Sequence, residues 1–373
     1  MKSPTNLTVS KDYRKRSIER GNEEIAIIRT TRAAYMVRLG ISFSGGDSIA
    51  DIIRNSKLAE DRNFEIIWWS EDFFLKDGIS PLAVIALNTN RIKLGTGVVS
   101  PYVHHPATIA TTIATLDEIS KKRMILGLGA GVSHWVKDQM GINQPRPAVA
   151  IRECIEIFKG VMEGRSITFE GEIFRCQDVK LGFEPPRTRI PVYLAATGPM
   201  MLRLSGEIAD GVIPGGAGAS AKATQRSIRS IYDGAKRAGR STSEVDIHQF
   251  VISSVSDNSE RAKESVKEFV AWMIGSGGST NKSLLLNEFD TKDVLPIVQA
   301  INKNDPKGAS RYVTSRMVDT FAAAGTPKEF RQRIMSYVDA GVKCVVIVPT
   351  GSQADINVTI EEASKLVDSE GRY

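Results

Sequence analysis

The feature that most constrains the fold is a rhythm: from Arg38 onward, short apolar runs alternate with amphipathic stretches of helical period. VRLGISF gives way to SIADIIRNSKLAEDRNF, whose apolar residues recur at the spacing of one helix face. EIIWW, RIKLGTGVV, RMILGLGAG, IPVYLAA, DGVIP, EVDIHQFVISSV and KCVVIVPT follow as further strands, separated by helical segments such as PATIATTIATLDEIS and AVAIRECIEIFKGVMEG, the latter stopped by Gly164. Strands that alternate with helices pair in parallel through right-handed crossovers, and nearly continuous apolar strands belong in a sheet covered on both faces. No GxGxxG opens a helix after the first strand. A closed α/β barrel, (β/α)8 of the TIM type, therefore accounts for the pattern better than an open doubly wound sheet. SITFEGEIFRC alternates around Glu170-Gly171 and reads as a hairpin outside the regular pattern. Residues 275–320 are too long for a plain connection between strands seven and eight. They read as an insertion that covers the site or carries a dimer contact.

Charge and composition narrow the function classes. The net charge of +6 invites a nucleic-acid reading, but residues 1–35 hold eight Lys/Arg against four Asp/Glu, a net +4, so the other 338 residues carry only +2. The chain therefore divides into an N-terminal arm or extension, 1–35, and one barrel domain, 36–373, and Arg14-Lys15-Arg16 reads as a solvated charge run with no nucleic-acid partner implied. No apolar run reaches the roughly 18 residues of a membrane span, and the polar first 35 residues lack the apolar centre of a secretory signal. Cys154, Cys176 and Cys344 are scattered without CxxC spacing, which points to a reducing cytoplasm and to neither disulfides nor a metal site.

Chemistry in such barrels sits on the loops after the C-terminal strand ends. The first of these is SFSGGD, with Ser42; the second is EIIWWSEDFF, where Glu71 and Asp72 follow Trp68-Trp69 and precede Phe73-Phe74. A carboxylate buried among those rings would have a raised pKa and serve as general acid or base, or else support a ring by hydrogen bonding. Gly97 in GTGVVSP is either a bulge glycine or part of a distorted backbone lying under a planar ring. GLGAGVSHW has the same character: Gly129 and Gly131 leave room, while His134 and Trp135 stand at its rim. In LAATGPMM, Ala195 and Ala196 end a strand, Thr197 or Gly198 caps, and Pro199 suits the first helical position. That is either an ordinary capped helix or an anion site, to which Gly215 and Gly216 of PGGAGAS would add amides; the usual phosphate corner of the barrel favours the anion. His104-His105 before Pro106 read as residues that cap or order the next helix. They are poor metal ligands, because adjacent side chains point apart.

Taken together, FEIIWWSED, RIKLGTGVVSPYVHHPATIA, RMILGLGAG, IPVYLAATGPMMLRLSGEIADGVI and FAAAGTPKEFRQRIMSYVDAGVKCVVI resemble the bacterial-luciferase-like flavin and deazaflavin oxidoreductases. Within them, the chain is most similar to the branch that uses coenzyme F420 and contains methylenetetrahydromethanopterin reductase. The resemblance implies an eight-stranded barrel, usually a homodimer, that moves a hydride between the deazaflavin C5 and a small organic substrate. It implies a non-prolyl cis peptide in strand three, matched here by Gly97 and Val98, and a cofactor phosphate on Ala195, Ala196, Thr197 and Gly198. It places Gly129 and Gly131 near the ring; Ser42, Glu71, Asp72, Gly215 and Gly216 are expected as further cofactor contacts. Where many relatives read Asp-His after strand two, this chain reads Glu71-Asp72, so Asp72 stands at the position of a common proton acceptor. Where the sugar-phosphate enzymes carry a glutamate after strand four, it has Val132. The expected catalytic pair is thus Asp72 and Glu71, the expected substrate contacts Trp69, Phe73, His134 and Trp135, and no metal is required. The alternative on the same barrel is an FMN-dependent monooxygenase using reduced flavin and oxygen, which would need a flavin reductase as partner. A barrel that only binds or stores a flavin-like ligand is the non-enzymatic contrast.

Overall fold

In the computed structural model, which describes residues 37–72, 74–276 and 288–368, the alternating apolar runs form one sheet that closes on itself. Eight parallel strands make the wall: β1 (Arg38–Phe43), β2 (Ile66–Trp69), β3 (Lys93–Thr96), β4 (Met124–Leu128), β7 (Val192–Ala196), β8 (Gly211–Pro214), β9 (Asp246–Val255) and β11 (Cys344–Pro349). β1 pairs with β2 on one side and β11 on the other, and the pairing of β8 with β9 closes the ring. β5 (Ile167–Glu170) and β6 (Arg175–Val179) form the antiparallel hairpin outside it. Residues 1–36, and with them the arm, lie outside the described residues.

Strand alternation sorts the two sides of the wall. On β2, Ile66 and Trp68 face the barrel interior, while Ile67 and Trp69 face the layer between wall and helices. The Trp68 indole fills the barrel against Tyr193 and Phe250, with ring centroids 5.4 and 6.2 Å away. It reaches across because β3 has a glycine opposite: a Cβ on Gly95 would stand 2.4 Å from Trp68 Cε3.

The helices that cover the wall include α1 (Ile49–Asp61), α2 (Ser80–Asn88), α3 (Pro106–Ile119), α4 (Pro147–Met162), α5 (Pro199–Ile208) and α6 (Ala221–Arg237). α3 begins where Pro106 supplies the first helical residue and His105 caps the Ala107 amide through Nδ1. Between β9 and β11 come α7 (Ser259–Ser276), α8 (Thr291–Asn302), α9 (Pro306–Ser310), α10 (Ser315–Phe321), strand β10 (Ala322–Gly325) and α11 (Pro327–Asp339); α12 (Gln353–Asp368) follows β11. The middle of the expected insertion, 277–287, lies outside the described residues. β10 is a strand that periodicity does not announce, since Ala-Ala-Ala-Gly has no alternation. It pairs in parallel with the upper half of β9, from Ala322 opposite Ile252 to Gly325 opposite Val255. β9 meets β8 only at Asp246 and Ile247, so its upper half turns away from β8 toward β10. The turn at 216–218 stands beside that gap, tied by Gln249 Nε2 donating to the Gly216 carbonyl at 2.6 Å.

Candidate active site at the C-terminal mouth of the barrel

The loops leaving the C-terminal strand ends collect the expected residues into three places and leave several others apart. The first place is a break in β3. Beyond Thr96, the Gly97 amide donates to the Trp69 carbonyl at 2.7 Å and the Val99 amide to the Gly127 carbonyl at 3.0 Å, so the ladder passes over Val98. The Gly97–Val98 peptide bond is cis. The half-buried Val98 and Ala195 side chains both rest on the apolar filling of the barrel. A Cβ on Gly129 would stand 2.6 Å from Val98 Cγ2 and 3.4 Å from Ala195 Cβ. Gly97, Val98, Gly129 and Ala195 therefore share one patch, kept low by the missing side chain at 129. Gly131 serves the loop instead. At φ 83° it turns the exposed chain toward Val136, whose Cγ2 would lie 2.9 Å from a Cβ there.

The second place is the start of α5. Gly198 is its N-cap and offers no side-chain cap, so the first turn presents amides and the positive end of the helix dipole. The Gly215 amide donates to the Ala196 carbonyl at 2.9 Å, which holds the loop after β8 against the loop after β7. Gly215 and Gly216 both adopt positive φ, 72° and 57°, where a Cβ would be strained. The loop that carries Thr197 and Gly198 and the loop that carries these two glycines are thus tied side by side.

The third place holds the acids. Glu71 leaves β2 with a side chain only 6% exposed, and His104 Nε2 lies 2.6 Å from Glu71 Oε1. Gly78 folds over the acid: a Cβ there would come 2.7 Å from Glu71 Cβ. The other oxygen, Glu71 Oε2, is buried and has no hydrogen-bond partner among the described residues. The bond to Glu71 raises the His104 imidazole above its usual range against the opposing effect of burial, with Asp77 adding to the rise. Next door, burial and then the charge of Glu71 push the Asp72 carboxyl up to about 6. Ser42, itself buried, places Oγ 3.5 Å from Ser70 Oγ at the base of the same loop.

Among the described residues, the two tryptophans do not stand together beside these acids. Consecutive strand residues point to opposite faces, so Trp68 enters the barrel and Trp69 the outer layer, where its Nε1 donates to the Asp77 carbonyl at 2.8 Å. Trp69 is wholly buried and offers no surface to a substrate. Phe74 is 69% exposed, and Phe73 lies outside the described residues. His134 and Trp135 open a π-helix, His134–Gln139, with His134 Nδ1 3.5 Å from Asp138 Oδ2 at the surface.

Two further features of the mouth are not evident from the residues alone. The sequence pairs His104 with His105 as helix caps, yet only His105 caps, and His104 reaches the acid loop. Adjacent side chains point apart, so a pair before one helix cannot share one job, and that much was legible. The second feature is α7, where Phe269 packs on the same apolar filling as Val98 and Ala195, and Trp272 stacks on Trp135 at 5.7 Å. A helix late in the chain carries no local mark that it will flank a loop from β4. Among the described residues no group of three or more His, Cys, Asp and Glu is placed to hold a metal, and no helix is long and apolar enough to cross a membrane.

The chain is similar to known proteins over most of its length. The family model described as luciferase-like monooxygenase matches residues 29–344. A 5,10-methylenetetrahydromethanopterin reductase of Methanolobus tindarius is 34% identical over 333 residues, which cover 89% of this chain and 98% of that protein. An F420-dependent glucose-6-phosphate dehydrogenase of Nakamurella multipartita is 27% identical, over 82% of this chain and 88% of its own. Among solved structures, the coenzyme F420 dependent tetrahydromethanopterin reductase from Methanopyrus kandleri superposes with a TM-score of 0.80 at 32% identity, over 88% of this chain and 97% of that one.

Proposed function

The chain belongs to the luciferase-like monooxygenase family, and from that premise we propose that it is an F420-dependent oxidoreductase of the methylenetetrahydromethanopterin reductase type. The relatives that support this reading are reductases matched over nearly their whole length. The observation that carries it is the patch of Gly97, Val98, Gly129 and Ala195. A flat ring needs a flat, uncrowded floor, and a single methyl at 129 would fill it. The fit extends to the start of α5, whose uncapped amides suit the cofactor phosphate, and to Glu71, whose unpartnered Oε2 suits a donor on a bound ring.

When bound, coenzyme F420 supplies the hydride, carried at C5 of the deazaflavin. The protein's share is placement and proton handling. Val98 and Ala195 form the apolar floor, Gly129 leaves the clearance above it, and Ala196, Thr197, Gly198, Gly215 and Gly216 anchor the phosphate. Asp72, with a carboxyl near 6, holds or releases the proton that accompanies hydride transfer. His134 and Trp135 stand at the rim, where a small organic substrate enters. We assign a homodimer and a cytoplasmic setting to the enzyme; the family resemblance supports the first, and three free cysteines support the second.

Titration of the purified protein with oxidised F420 and with FMN tests the reading, followed by turnover with reduced F420 and a substrate panel. F420 binding with turnover is the expected result. Tight FMN binding with oxygen consumption would instead make the protein a monooxygenase fed by a flavin reductase, and a bound ring without turnover would make it a binding protein.

A further inference from the structure

The ladder between β8 and β9 ends early. It reaches Val212 and Ile247, and the chain after β8 then departs through Gly215 and Gly216, both at positive φ. Beside that gap stands Gln249, which by strand alternation shares the layer between wall and helices with Ile247 and Val251. Gln249 is fully buried, and an amide in an apolar layer is costly unless its groups find partners. Here they do. Nε2 donates to the Gly216 carbonyl at 2.6 Å and to the Phe250 carbonyl at 2.9 Å. Oε1 accepts from Thr224 Oγ1, itself buried on α6, at 2.9 Å. The Thr224 hydroxyl thereby fixes which end of the amide faces the loop, and the side chain stands in for ladder bonds that β8 no longer makes. A trans peptide carries its C=O and the next N–H on opposite sides. With the Gly216 carbonyl drawn to Gln249, the Ala217 N–H is turned away from β9. The two ends of the loop are tied as well, by the Gly215 amide on the Ala196 carbonyl and by Tyr337 Oη donating to the Ala219 carbonyl at 3.1 Å.

We propose that Gln249, oriented by Thr224, is a positioning residue for anion binding: it sets the Gly216–Ala217 peptide so that the loop after β8 presents amides to a phosphate at the start of α5. The inference rests on the proposed anchoring of the cofactor phosphate and carries it to two buried residues that touch no ligand. A loop with two glycines at positive φ has many conformations open to it, and ordering it on binding would cost affinity. One buried side chain that grips a loop carbonyl removes most of that cost before the ligand arrives. The ring itself lies on the floor of Val98 and Ala195, so the effect of Gln249 is confined to the phosphate end of the ligand.

The test compares two ligands that share a ring, oxidised F420 and the phosphate-free ribityl deazaflavin, titrated by fluorescence into full-length wild type, Gln249→Met, Thr224→Val and Thr224→Ser. Gln249→Met keeps an unbranched chain and removes the donor. It should weaken F420 binding by roughly tenfold, the scale of one lost hydrogen bond, and leave the phosphate-free ligand within about twofold of wild type. Thr224→Val should shift the same ratio in the same direction by less, and Thr224→Ser, which keeps the hydroxyl, should restore it. The threonine pair decides the matter should Gln249→Met not fold. Equal losses for both ligands would overturn the proposal, since Gln249 would then support only the barrel. So would an F420 affinity unchanged in both Gln249→Met and Thr224→Val. A wild type that binds neither deazaflavin is a separate result that overturns the proposed function, and the same comparison of FMN with riboflavin then decides Gln249 alone.

Discussion

Asp72 is a carboxyl that the fold keeps on the edge of ionisation. Burial does most of this and the neighbouring Glu71 charge the rest, bringing it to about 6. Its folded pKa lies above its unfolded one, so its contribution to stability is present below the unfolded value of roughly 4 and is lost as pH rises through about 6. Above that pH the enzyme carries a partly buried charge that it would be more stable without. Asp72→Asn should therefore raise the thermal midpoint at pH 8, by a gain on the order of 2 kcal/mol, while it lowers kcat by about a hundredfold or more if the group moves a proton. In the reductive direction, where the substrate takes up a proton, kcat/KM of the wild type should fall as pH rises through about 6, and that limb should be absent in the variant. Calorimetry at two pH values and a pH–rate profile read the two halves separately. An unchanged profile in Asp72→Asn would remove the acid–base role. At this scale the sequence is partly legible. The aromatic neighbours in the sequence imply a raised carboxyl, and burial together with the Glu71 charge raises Asp72 in the fold.

Elements meet through contacts that no local propensity describes. α5, which carries the anion corner at its start, crosses α6 at two glycines. A Cβ on Gly206 would stand 1.9 Å from the Ile231 carbonyl oxygen, and one on Gly234 would stand 1.9 Å from that of Arg203. Glycine inside a helix costs about 1 kcal/mol against alanine, so each looks like a local weakness and is in fact the condition for close approach. Gly234→Ala should improve the isolated helix and destabilise the protein by roughly 1–3 kcal/mol, the usual cost of overpacking, with a loss of F420 affinity as Gly198 shifts from Gly215. Chemical denaturation of the variant measures the first effect. A stability equal to wild type would show that the helices can separate freely. The helices themselves are readable from their period; their crossing is not.

The whole molecule is closed by a charge cluster at the opposite end of the barrel. Arg38 on β1 donates to Glu65, just before β2, at 2.6 Å, and to Asp246, the first residue of β9, at 2.9 Å. Asp246 also receives Tyr193 Oη at 2.9 Å and lies 3.0 Å from His248 Nε2. Burial alone would raise both acids, but hydrogen bonds from Arg38 and Lys93 bring Glu65 down to about 2, and His248 and Arg38 hold Asp246 well below the carboxylate range. These depressed groups stabilise the fold above their unfolded values and lose that contribution as pH falls through the folded ones. Arg38→Met should lower stability most at pH 7.5, where that contribution is fully present, and move the acid-unfolding midpoint to higher pH, with the deficit shrinking as pH falls through the window from 4.5 down to about 2. Circular dichroism during acid titration reads it; superimposable curves would mean the cluster is an ornament of the closed barrel and not part of what closes it.

The sequence by itself determined the alternation of strand and helix, the parallel barrel that follows from it, and the glycine-rich loops at one end. These are encoded in periods of a few residues, which short-range sterics and burial enforce. Only the tertiary structure decided which way each side chain faced and which distant groups met. It sent Trp69 into the outer layer, brought β10 onto the upper half of β9, set Trp272 against Trp135 and put His104 on Glu71. Those outcomes depend on register and closure, and residues far apart in the chain become neighbours only when the ring of strands is complete.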